Sequence, residues 1–379
     1  MEQPLEIYIL PGSGGYFVNQ MAMMIAVIRA TERVKGPDSY RPPDIVMGTS
    51  GGNITAYSTH AGGWTEAGIR RVAGALVPDI FAVPWGNGVF FRVLPSWAYG
   101  VFRGSLYNSN KQGGPEAFFQ SVFSKHLCTD VEIWTGTVNQ TEPPGGGRGM
   151  YAPKTMYRTQ LYCNRAEKEA QLKSGSAFND ARLASLPPVY LNGDVSALAQ
   201  VSLASASIPT VVPPVEFRGD LLIDGGDAFS SPMSVLHERV RGKVGSAGGL
   251  HMVRFAGYDS ENLVFENRRR ANIFRTGLNS ISHLQCSLDL QDRETAVALV
   301  RADNRVLKFQ EGTADLKTLS DLLTTRRETC FRSLLELYPS VDNSISIVSF
   351  SPENLRQAMN VCLDDHCAKL RYRFWYTAL

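Results

Sequence analysis

Cysteine is sparse in this chain and unpatterned: Cys128, Cys163, Cys286, Cys330, Cys362 and Cys367 form no Cys-x-x-Cys pair. That spacing offers neither a zinc knuckle nor a redox dithiol, so reduced, scattered thiols are expected. An excess of one charge is missing as well, since 38 Lys and Arg face 36 Asp and Glu, a net charge of +2. A surplus that small builds no strong field for a polyanion, and nucleic acid is set aside as a partner. No apolar run reaches the ~20 residues of a membrane span. The start, Met1-Glu2-Gln3-Pro4-Leu5-Glu6, carries two acids and lacks the basic end of a signal peptide. An intracellular location is therefore expected, cytoplasmic or peripheral at membranes. Internal repeats are absent, and the only compositionally simple stretch is the loop around Pro143-Pro144-Gly145-Gly146-Gly147.

What is present is an ordinary globular composition, 44% hydrophobic and 20% charged over 379 residues, enough for one large α/β unit or two domains. Leu5 to Leu10 is a short β-branched apolar run. It leads into Gly12-Ser13-Gly14-Gly15 and then into helical spacing from Tyr16 to Val34. The pattern repeats: Asp44 to Met47 reads as a strand, Gly48-Thr49-Ser50-Gly51-Gly52 as a turn, and Ile54 to Ala61 and Thr65 to Leu76 as helices. Two strand-glycine-helix units predict a largely parallel sheet covered by helices. Further strands are expected at Asp130–Val138, Thr155–Cys163, Val189–Leu191, Leu221–Ile223 and Leu250–Phe255, with a small-residue helix at Ala197–Ser207. Beyond Asp259 the pattern predicts helices at Glu261–Arg275, Leu290–Ala302, Leu316–Leu337 and Pro352–Arg373 and one strand at Ser344–Phe350. The expected division is residues 1–258 as a catalytic core and 259–379 as a mainly helical C-terminal part, packed on that core or appended to it.

A serine hydroxyl attacks a carbonyl only if a base takes its proton and dipoles hold the resulting oxyanion. Gly48-Thr49-Ser50-Gly51-Gly52 fits Gly-x-Ser-x-Gly, the tight strand-to-helix turn that projects a serine outward. The helix beginning after Ser50 adds free N–H groups and a positive dipole end. Gly12, Ser13, Gly14 and Gly15, at another strand end, offer further backbone donors with little side chain in the way. Asp224, followed by Gly225 and Gly226, ends a third strand. In a parallel sheet the C-terminal strand ends share one edge, which would bring Asp224 to Ser50.

With these residues in view, the sequence over roughly Leu5 to Tyr258 resembles the patatin-like phospholipases. That family pairs a Gly-x-Ser-x-Gly serine with the aspartate of an Asp-Gly-Gly motif, and places a glycine-rich oxyanion loop after the first strand. Ala204 to Pro209 and Pro213-Pro214-Val215 are similar to its small-residue helix and proline turn. The family's loop usually continues with a basic residue, whereas Tyr16, Phe17 and Val18 stand here. The resemblance implies a three-layer α/β/α sandwich and hydrolysis of a lipid acyl ester at a membrane or micelle surface, through an acyl-serine intermediate and with no metal or other cofactor. In that scheme Ser50 is the nucleophile and Asp224 the base. Gly12, Ser13, Gly14, Gly15 and Gly51 form the oxyanion hole, and Gly48, Gly52, Gly225 and Gly226 are motif glycines. A protein activator is left open.

Two other readings compete. Asp224 and then His251 lie in the chain order of a Ser-Asp-His triad, although His251 falls inside an apparent strand. An inactive scaffold that binds membrane or protein is the other. The aromatic segment from Phe81 to Tyr107 is expected to be either a lid or membrane-facing surface, or ordinary core.

Overall fold

The computed structural model describes residues 4–80, 120, 131–141, 158–166, 186–208, 212–244, 249–259, 273–301, 305–339 and 370–379. The aromatic segment beyond residue 80, the glycine loop after Thr141, most of the helices expected at 261–275 and 352–373 and the strand expected at 344–350 lie outside these residues.

Strand β1 (Leu5–Leu10) is followed by helix α1 (Phe17–Lys35), β2 (Ile45–Thr49), α2 (Gly51–Ala61) and α3 (Glu66–Ile80). These are the two strand-glycine-helix units read from the sequence. Next come β3 (Glu132–Asn139), β4 (Arg158–Cys163), β5 (Val189–Tyr190) and α4 (Val195–Ser205). A hairpin of β6 (Val215–Phe217) and β7 (Asp220–Asp224) turns through Arg218 and Gly219, both at positive φ, the backbone a two-residue hairpin needs. Helix α5 (Met233–Val244), β8 (Leu250–Phe255), α6 (Ile273–Val300), β9 (Lys308–Ala314), α7 (Leu316–Thr329), β10 (Cys330–Pro339) and β11 (Leu370–Ala378) complete the order.

Five strands run parallel in the order β3-β2-β1-β8-β10. Antiparallel strands close both sides, β4 and β7 on β3, and β11 then β9 beyond β10. Parallel strands are buried on both faces, and β1 shows how its side chains divide. Tyr8 and Leu10 pack in one apolar cluster with Ile54 of α2, Ile69 of α3, Leu198 of α4 and Leu319 of α7. Ile7 and Ile9 pack in the other with Leu236 of α5 and Leu299 of α6. Helices on both faces of a mostly parallel sheet make the expected three-layer α/β/α sandwich.

The C-terminal part differs from the helical reading. The helix expected over Leu316–Leu337 starts at an Asp315 cap, whose Oδ1 accepts Thr318 N–H at 2.7 Å, but stops at Thr329. Cys330–Pro339 is instead a strand, paired parallel to β8. Leu334 enters one core cluster and Leu335 and Leu337 the other. A strand buried on both faces shows an apolar run that periodicity cannot tell from a helix. Leu370–Ala378, whose first residues were expected to end a helix, is likewise a strand on β10, and β9 was not foreseen. The sheet therefore runs on past residue 258.

Candidate active site

Strand β2 ends at Thr49 and α2 begins at Gly51, so Ser50 carries the whole change of direction. Its φ of 53° and ψ of −129° lie outside the regions that L-residues favour, at a cost of about 1–3 kcal/mol. The turn closes only because its flanks are glycine: a Cβ on Gly52 would strike the Leu10 carbonyl, and one on Gly48 would come within 2.8 Å of Asn53 Cα. Ser50 N–H donates to Ser205 Oγ at 3.0 Å, and Ser205 Oγ donates to the Gly136 carbonyl at 2.7 Å. The small-residue helix α4 thus anchors the elbow, a role its composition hinted at without naming Ser205.

Asp224 reaches Ser50, but not by the expected route. Its strand is antiparallel to β3 and meets β2 head-on. Thr49 pairs with Gly136, and Asp224 pairs with the next residue, Thr137. Two strands of opposite direction thus end at adjacent rungs of β3, which serves as a common ruler. A Cβ on Gly225 would lie 2.5 Å from the Gly136 carbonyl, so the junction tolerates no larger residue there. Ser50 Oγ donates to Asp224 Oδ2 at 2.7 Å, and Gly226 N–H donates to Oδ1 at 2.7 Å. Asp224 N–H in turn donates to the Ser207 carbonyl at 3.1 Å. Both side chains of the pair are 1% exposed.

The loop after β1 lies against this pair. Gly14, at φ 48°, opens a short 3-10 turn through Gly15 to Tyr16, and a Cβ on Gly51 would come within 3.0 Å of Gly14 N. The N–H groups of Gly51 and Gly52 stand in the first turn of α2, where no intrahelical acceptor exists. Gly12 departs from the expected set of donors. A Cβ built on it would lie 3.5 Å from Ser50 Cβ, but its N–H donates to the Ser230 carbonyl at 2.6 Å and is committed there. Ser13 contributes its side chain to the loop, with Oγ donating to Gln20 Oε1 at 3.1 Å. Gln20 Nε2 donates to the carbonyls of Pro11 and Phe255, both at 2.9 Å, and Asn19 Nδ2 to that of Gly257. Gln20 thus braces the loop, and Asn19 ties α1 to the Gly257 turn that packs against Ser13 and Tyr16. Nothing in the sequence pattern singled them out.

His251 is the second residue of β8 and pairs with Glu6 at the start of β1, toward the opposite end of the sheet from Ser50. Its Nδ1 lies 2.9 Å from Ser333 Oγ, and burial pushes its pKa down to about 3. The imidazole is a neutral core group, well away from the elbow. Among the described residues no helix is long and apolar enough to cross a membrane, and no cluster of three or more His, Cys, Asp or Glu is placed to hold a metal ion.

A family model described as patatin-like phospholipase matches residues 13–237, a span that contains Ser50 and Asp224. No curated protein matches the chain.

Proposed function

The chain belongs to the patatin-like phospholipase family, the family of lipid acyl hydrolases, and on that premise we propose that it cleaves a lipid carboxylic ester with a Ser50–Asp224 dyad. The observation that carries the reading is the 2.7 Å hydrogen bond from Ser50 Oγ to Asp224 Oδ2. Asp224 accepts the hydroxyl proton as Oγ attacks the acyl carbonyl carbon. The N–H groups of Gly14, Gly15 and Gly51 face the negative charge that develops on the carbonyl oxygen. Collapse breaks the ester bond, and Asp224 returns its proton to the departing alcohol. A water then gives a proton to Asp224 and attacks the acyl-serine, and as the acyl–Oγ bond breaks to release the fatty acid Asp224 passes that proton to Ser50 Oγ. In this reading both reacting side chains come from residues 1–258, and the described strands of 259–379 extend the sheet that carries them.

The triad reading gains nothing from the geometry, because His251 sits toward the other end of the sheet. The scaffold reading leaves unexplained a strained serine held on a buried aspartate. Hydrolysis of phospholipid and neutral-lipid vesicles or micelles by wild type, Ser50→Ala and Asp224→Asn tests the proposal. A fluorophosphonate probe that labels wild type and spares Ser50→Ala supports the enzyme. Equal labelling of both proteins, or none of either, speaks against it.

A further inference from the structure

Helix α6 lies outside the matched span, yet three of its residues, Gln285, Asp289 and Asp292, reach the catalytic rim. Their spacing of four and three places them on one helix face. Asp289 Oδ1 accepts Ser230 Oγ–H at 2.7 Å and pairs with Arg254 of β8. Asp292 Oδ2 accepts Ser231 N–H at 2.6 Å. Ser230 is the residue whose carbonyl holds Gly12 N–H. These bonds lock α6 against the rim, and one turn earlier they deliver Gln285.

Gln285 is 3% exposed, and its buried Oε1 has no hydrogen-bond partner among the described residues. A lone buried amide oxygen carries an uncompensated desolvation cost, and apolar packing would be served better by leucine or methionine. Its Nε2 lies 3.1 Å, and Asp224 Oδ1 3.0 Å, from the place a Gly226 Cβ would occupy. The two atoms are therefore within about 6 Å, the range over which a charge or dipole shifts a carboxylate.

We propose that Gln285 is a positioning residue for Asp224: its carboxamide, delivered by α6, flanks the Oδ1 side of the carboxylate, keeps it ionised and holds it aimed at Ser50. The inference rests on the dyad reading above. Oδ2 accepts Ser50 Oγ–H and Oδ1 accepts Gly226 N–H, so the carboxamide stands beside Gly226 on the side of the carboxylate away from Ser50. An amide turned N–H first toward a carboxylate is the favoured orientation, and it leaves the oxygen facing away. The isolated Oε1 is then the cost of serving the base.

The test uses the full chain and a chromogenic probe, p-nitrophenyl butyrate, with kcat and KM measured from acid to alkaline pH. Wild type, Ser50→Ala, Gln285→Met and Gln285→Glu are compared, with folding checked by circular dichroism and thermal melting. Gln285→Met keeps the length and removes the dipole. It is expected to lower kcat about tenfold with KM little changed, and to move the acid limb of kcat/KM upward, because the carboxylate loses a stabilising dipole. Gln285→Glu is expected to move that limb up by about one pH unit or more, because a second carboxylate disfavours ionisation of the first. It keeps the side-chain shape and decides the matter if Gln285→Met fails to fold. An acid limb that stays in place in a folded variant, whatever happens to melting, means a packing role and overturns the inference while the Ser50 dependence stands. Rates that survive Ser50→Ala overturn the dyad reading and this inference with it.

Discussion

Two neighbouring stretches of one sheet edge solve the burial of polar groups in opposite ways. Around Ser50 the rim is made of glycine, serine and backbone amides, with Asp224 held by a hydroxyl and an N–H. Around Arg254, near the end of β8, the rim is packed with ions. Arg254 is 1% exposed and pairs with Asp289 and Glu336, while Arg373 stands 3.6 Å from Glu336 and Arg371 binds Asp259 at 2.9 Å. The second rim spends its charges on itself. The first keeps donors and a strained hydroxyl in reserve, as a site must if a reacting group is to be stabilised there. One rim stores strain and the other holds the C-terminal strands and α6 in place.

The comparison breaks most sharply at the dyad. Ser50→Ala and Asp224→Asn are expected to lower ester hydrolysis by roughly 10⁴-fold or more, with little change in the melting temperature. Ser50→Gly should also abolish turnover yet be about 1 kcal/mol more stable than Ser50→Ala, which loses the same hydroxyl but keeps a Cβ on the strained backbone. Denaturant unfolding reads that gain, and a loss would deny the strain. Arg254→Ala is the mirror case. It takes from buried Asp289 and Glu336 the cation they share and is expected to cost about 3–5 kcal/mol in the same unfolding measurement.

Smaller effects sharpen the contrast. Ser205→Ala removes the acceptor of Ser50 N–H and the donor to the Gly136 carbonyl. About 1–3 kcal/mol should be lost, and kcat should fall more than KM rises, because the elbow loses its anchor. His251 tests the opposite end of the sheet. Burial lowers its pKa from an ordinary 6.5 to about 3, so the folded state binds fewer protons than the unfolded one between those values. Its contribution is full above about pH 6.5 and is lost as pH falls toward 3. A His251→Asn variant should show a flatter loss of stability across that window, read from unfolding midpoints at each pH. Asp315→Ala, at the cap of α7, should cost only about 1 kcal/mol and leave turnover untouched.

Much of the rim was legible along the chain because it is built from local rules. A strand that turns into a helix within a few residues requires glycine, so Gly12 to Gly15 and Gly48 to Gly52 announced both loops. Asp224 was legible as a partner by its motif, while the way it approaches was not. Strand direction leaves no mark on five residues, and the head-on meeting of β2 and β7 exists only in their shared register on β3. Cys330 to Pro339 was misread because leucines that face both layers imitate a helix face. Ser205, Asn19 and Gln20 escaped notice for a different reason, since each acts on backbone reached only through the fold.

Sequence alone determined the chemistry on offer: a serine at a turn only glycines permit, an acid beside glycines, and alternating strands and helices that must form layers to hide their apolar faces. These follow from steric limits and periodicity, which act over a few residues. Tertiary structure alone decided that Asp224 arrives antiparallel, that Gly12 N–H is taken by Ser230, and that α6 brings Gln285 beside Gly226 and Asp224. Those outcomes depend on which distant groups the packed layers bring within a few ångströms, a choice made by the whole core at once.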